Sequence, residues 1–95
     1  MAARRTAAEI ARDREAIVAA LREAAGDWTR STWIQVAAQD WRANDVAALV
    51  ADGTLVRQIR RQYDYIHLQG NEFGGVVAAV RRRAYVALAT AVEAA

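Results

Sequence analysis

The chain has 95 residues, 55% hydrophobic and 25% charged, with 13 basic residues against 11 acidic ones. That length fits one domain; the lack of cysteine excludes disulfides and thiolate metal sites, the single histidine excludes a multi-histidine centre, and no apolar run approaches the roughly 18 residues of a membrane span. A net charge of +2 is too small to drive polyanion binding by itself, so any such binding must come from local clusters.

Alanine supplies 24 of the 95 residues, so large apolar side chains are few and their positions carry the information. The N-terminal segment MAARRTAAEIARDRE is charged and lacks the apolar centre of a secretory leader, which sets the expectation of a cytoplasmic protein. A first helix is expected over 6–25. Thr6 and Glu9 stand three apart, as in a capping box, and Ile10, Ile17, Val18 and Leu21 form a stripe at helical spacing. The residues before Ile10 hold no large apolar side chain and are expected to fray or project.

In 27–42, Thr29 or Ser31 can cap a short second helix over about 31–38, with Trp33, Ile34 and Ala37 buried. Trp28 and Trp41 flank it as packing residues; an aromatic stacking surface would need these rings gathered on a strand face or in a groove. A third helix over 43–52 has Asn44 at its start and Val46, Leu49 and Val50 on one face. Gly53 stops it, because glycine takes a left-handed cap without a Cβ clash. Leu55–Ile59 and Tyr63–Leu68 are rich in β-branched and aromatic residues and are expected to pair as a hairpin with its tip near Arg60, Arg61 and Gln62. Three glycines within 70–75 make a joint. A packing helix follows over about 72–93, regular from 76, because Phe73, Val77, Val80, Ala84, Leu88 and Ala91 repeat at spacings of three and four.

Helix, turn, helix, the run Leu49-Val50-x-x-Gly53-x-Leu55-Val56 and a basic hairpin together resemble the winged-helix (winged helix-turn-helix) DNA-binding family. The resemblance implies an α+β, mainly helical fold: three helices and a β-hairpin wing over about 6–69, plus an added C-terminal helix, in a single domain spanning 1–95. It also implies a small dimeric transcriptional regulator that binds double-stranded DNA. Arg30, Ser31 and Thr32, at the second-helix start, would touch phosphate. Arg42 and Asn44 would reach base edges from the third helix. Arg57, Arg60 and Arg61 in the wing would meet phosphates or enter a narrow minor groove. Val77, Val80, Ala84, Leu88 and Ala91 would form the seam of a homodimer, and Leu88→Arg would split it.

One feature of the third helix runs against a strong DNA reader. The face taken as exposed carries Asp45, Ala47, Ala48, Ala51 and Asp52, which offer almost no donors. Arg81, Arg82 and Arg83 on a helix would spread over about 300° of arc and could not all meet one partner. The alternative is a winged-helix protein-interaction module with no direct DNA contact, its arginines serving solubility. An all-helical bundle is disfavoured by the β-branched and aromatic content of 54–68. No nucleophile–base pair, phosphate loop or carboxylate cluster appears, so neither an enzyme nor a cofactor or metal is expected.

Overall fold

The computed structural model describes residues 4–67 and 76–93. The fold is α+β. In chain order it holds helix α1 (Ala7–Gly26), strand β1 (Ile34–Gln35), a 3-10 turn (Val36–Ala38), helix α2 (Ala43–Ala51), strands β2 (Leu55–His67) and β3 (Val76–Leu88), and helix α3 (Ala89–Glu93). The three strands form one antiparallel sheet in the order β1-β3-β2.

The start of α1 follows from its cap. The Thr6 hydroxyl oxygen accepts from the Glu9 amide at 3.1 Å, while the Thr6 hydroxyl donates to the Glu9 carboxylate at 3.3 Å. This occupies one of the first-turn donors that no helical partner can reach. At the other end of the α2 segment the Asp52 and Gly53 amides donate to Ala48 and Val50, and Gly53 takes a φ of 85°. Gly53 thereby turns the chain out of α2 and delivers Leu55 into the core, where it is 2% exposed.

The core is one cluster. Ile17 and Leu21 of α1 meet Val46 and Leu49 of α2, Leu55 of β2, and Val86 and Leu88 of β3. Ile34, Val36, Trp41 and Ala91 close its margin. The helices therefore cover only the base of the β2–β3 ribbon. Thirteen register pairs run from Leu55↔Leu88 to His67↔Val76. At about 3.3 Å per residue the ribbon extends roughly 40 Å.

Several sequence expectations are corrected. The second helix over 31–38 does not form: Ile34 and Gln35 pair with Val86 and Tyr85 instead, and only one 3-10 turn follows. Ile34 packs against the core as expected, whereas Ala37 is exposed. The hairpin tip is not at Arg60–Gln62, because β2 runs straight through them. The long helix over 72–93 is not there either: 76–88 are strand, and only Ala89–Glu93 are helical. Val77, Val80, Ala84 and Leu88 thus lie on a strand and Ala91 on a separate short helix, so the helical dimer seam has no helix to carry it. Asn44 stands in the first turn of α2, as expected, after Arg42 at the N-cap position. The glycine joint at 70–75 lies outside the described residues.

Candidate nucleic-acid interface

The antiparallel register sorts the ribbon's side chains onto two faces, since neighbours along a strand point to opposite sides. One face starts in the core with Leu55, Val86 and Leu88 and continues outward through Arg57, Ile59, Arg61 and Tyr63 on β2, opposite Ala84, Arg82 and Val80 on β3. The other carries Gln58, Arg60 and Gln62, opposite Tyr85, Arg83 and Arg81.

The pairing brings two arginine triplets together. Arg57, Arg60 and Arg61 meet Arg81, Arg82 and Arg83, with Arg60 directly opposite Arg83 and Arg61 directly opposite Arg82. The two strands hold six of the thirteen arginines, while Asp64 is their only acid. The small net charge of the chain thus hides a strong asymmetry, a basic ribbon on an acidic body. Like charges placed directly across a sheet repel. Among the described residues no carboxylate pairs with Arg57, Arg61, Arg82 or Arg83.

Arg60 is held differently from its neighbours. Its guanidinium lies 4.4 Å from the centre of the Tyr85 ring and 5.7 Å from that of Trp33. Its Nε donates to Gln58 Oε1 at 2.9 Å. Trp33 is half-buried at the foot of this face, while Trp28 is 93% exposed and so is not the packing residue expected. The loop before β1 is built by its own side chains. Asp27 accepts from the Thr29 hydroxyl and amide, which hold its carboxyl below the usual aspartate range, and Ser31 accepts from the Trp33 amide. Arg30 and Ser31 are exposed and Thr32 half-buried in this loop. No helix begins there, so Arg30, Ser31 and Thr32 do not stand at a helix start; they precede β1, whose Ile34 and Gln35 pair with β3.

On α2, Arg42 and Asn44 are exposed at its N-terminal end, and Ala43, Ala47 and Ala51 are exposed along it. Arg42 and Asn44 stand at the end of α2 away from its Gly53 junction with β2. Asp45, expected on the outward face, is 1% exposed. Arg5 Nη1 and Nη2 donate to its carboxylate at 2.8 and 3.1 Å, and Arg14 Nε donates at 3.2 Å. These bonds, Arg5 first, pull the Asp45 carboxyl below its ordinary range against the opposing effect of burial, while the bonds to Asp45 and then Asp13 raise the Arg5 guanidinium. Arg5 is anchored and does not fray as the segment before Ile10 was expected to; residues 1–3 of that segment lie outside the described residues. Asp45 therefore presents no negative charge to a partner approaching α2.

A cleft of about 200 Å³ opens beside this cluster, lined by Asp13, Asp40, Trp41, Arg42 and Asp45 with α1 behind. Two of its three carboxylates, Asp13 and Asp45, pair with Arg5, and Arg14 adds a second cation at Asp45. Among the described residues no group of three metal-ligating side chains occurs, and no helix is long and apolar enough to cross a membrane.

Sequence reasoning found Arg57, Arg60 and Arg61 but missed Arg81, Arg82 and Arg83 as their partners. The missed signal was alternation: Val76, Ala78, Val80, Ala84, Val86 and Leu88 are apolar at every second position, broken only by Arg82. No protein-family model, no curated protein and no solved structure matches this chain.

Proposed function

We propose that the chain is a double-stranded DNA-binding protein built on the winged-helix plan, a small cytoplasmic transcriptional regulator whose β2–β3 ribbon supplies the main contact. The observation that carries this reading is the gathering of six arginines against one acid on the two paired strands, two pairs of them directly opposed. Such an array costs electrostatic repulsion in the free protein and is relieved by a polyanion. The order of elements, a helix, a helical turn, a helix ended by Gly53 and a basic hairpin, supports the winged-helix plan. The neutralised Asp45 supports α2 as a second contact, through Arg42 and Asn44. Binding in this reading is stoichiometric and involves no cofactor or catalytic step. Two copies about a two-fold axis would present two ribbons to two half-sites, on a seam other than a terminal helix.

The test is titration with random-sequence duplex at two salt concentrations. Each phosphate contact adds about 0.9 to the slope of log affinity against log salt, so replacing Arg57, Arg61 and Arg82 together with Ala should flatten it by roughly 2 to 3. Replacing Arg57, Arg60 and Arg61 together should abolish binding with the fold intact. A second reading, a protein-interaction module, is favoured by the exposed Ile59, Tyr63 and Val80 on one ribbon face. Absence of duplex binding at low salt would decide for it.

A further inference from the structure

The outward side of α2 offers a duplex little besides Asn44 and Arg42, because Ala43, Ala47 and Ala51 can touch only thymine methyls. The chemistry suited to base edges lies on the sheet. Gln58, Arg60, Gln62, Arg81 and Arg83 share one ribbon face, and glutamine and arginine are the side chains that pair in forked fashion with adenine and guanine. We propose that this face, resting on the DNA-binding reading above, lies in the major groove, and that Arg60 is a specificity-determining residue that reads guanine.

Arg60 is prepared for that task. With Nε committed to Gln58 and the guanidinium held by the Tyr85 and Trp33 rings, the side chain is exposed and, among the described residues, no hydrogen bond occupies its two terminal nitrogens. A guanidinium fixed in advance loses less rotamer freedom when it forms two parallel bonds to guanine O6 and N7. Arg61, the next residue, points to the opposite face and makes no such contacts among the described residues. It is suited to phosphate, which needs charge rather than a fixed plane. The groove follows from size. A two-stranded ribbon with its side chains is about 10 Å thick, which fits a major groove about 12 Å wide and not a minor groove about 6 Å wide.

The experiment is selection from a random duplex pool with wild type, Arg60→Gln and Arg61→Gln, each checked for an unchanged far-UV spectrum. The two variants lose the same charge from opposite faces. Wild type should enrich a motif containing guanine. Arg61→Gln should keep that motif at lower overall affinity. Arg60→Gln should lose preference for one guanine by about tenfold, within the range of a forked base contact. Replacing that guanine by 7-deazaguanine should weaken wild type and leave Arg60→Gln unchanged. Gln58→Ala should reduce the preference with Arg60 still present. If Arg60→Gln selects the wild-type motif, or wild type binds duplex without any motif, the inference fails while DNA binding stands. If wild type does not bind duplex at low salt, both fail.

Discussion

Arg5 donates to both carboxylate oxygens of Asp45, 40 positions away, with Nη1 at 2.8 Å from Oδ2 and Nη2 at 3.1 Å from Oδ1. The same Nη1 lies 2.7 Å from Asp13 Oδ2, and Arg14 closes the group with a bond from Nε to Asp45. Arg5, just before α1, is thus tied to α2 by a buried acceptor. Breaking a buried ion pair by neutralising one partner leaves the other charge unmet. Asp45→Asn should lower stability by about 3 kcal/mol. Asp13→Asn, whose side chain is 45% exposed, should cost under about 1 kcal/mol after solvent screening. Urea denaturation of the two variants beside wild type checks the contrast; equal midpoints would mean that Asp45 is not the anchor.

The same group sets the acid sensitivity. Arg5, and then Arg14, hold the folded-state pKa of Asp45 below the ordinary value of 3.8. A depressed carboxylate contributes its full stability above its unfolded pKa and loses it as pH falls through the folded one. Stability should therefore be level in this respect down to about pH 4 and fall below it. Asp27 and Asp52 are depressed by Thr29 and Thr54 and act in the same direction. Asp45→Asn should flatten the acid limb without abolishing it. Urea midpoints measured from about pH 7 to about pH 2 give the slope, and an unchanged limb would assign the acid loss to other groups.

What the sequence revealed depended on range. The Thr6–Glu9 cap, the Gly53 stop and the burial of Leu55 are decided within a few residues, and each was readable. The 76–88 segment was not, because its alanines favour helix and its apolar residues satisfy both a spacing of three to four and a spacing of two. Pairing with β2 chose the strand, as tertiary context overrides weak local preference. The burial of Asp45 was equally hidden: its two cationic partners lie 31 and 40 positions away. Arg57, Arg60 and Arg61 were legible as a basic wing, though with Arg60 and Arg61 expected at its tip, whereas the strand through them and its doubling by Arg81–Arg83 exist only in the folded register.

The Arg61↔Arg82 pair places a stability cost at the site of proposed function. Arg82→Glu converts a directly opposed like pair into an opposite pair, and should raise stability by about 0.5 to 1 kcal/mol. The gain should shrink as salt is added, since both side chains are exposed. Duplex affinity should fall at the same time, because one phosphate contact is replaced by a repulsive charge. Thermal melts at two salt concentrations, with a binding titration on the same preparations, read both effects. A variant that gains stability and binds duplex as wild type does would remove Arg82 from the interface.

Val80 and Leu88 occupy the same face of β3, eight positions apart, yet Val80 is 56% exposed and Leu88 9%. The difference marks where the helices stop covering the ribbon. Leu88 packs with Leu55, Val86 and the α1 and α2 side chains, so Leu88→Ala removes buried methyl groups and should cost about 2 to 4 kcal/mol. Val80→Ala leaves no cavity and should change stability by less than about 0.5 kcal/mol. Leu88→Arg, the substitution suited to splitting a helical dimer seam, would instead bury a charge in the core and unfold the chain. Urea midpoints for the alanine pair, with far-UV spectra and sedimentation for Leu88→Arg, separate these outcomes. A folded Leu88→Arg protein that changes only its assembly state would show that Leu88 faces a partner copy; loss of the spectrum before any change in assembly would place it inside its own domain.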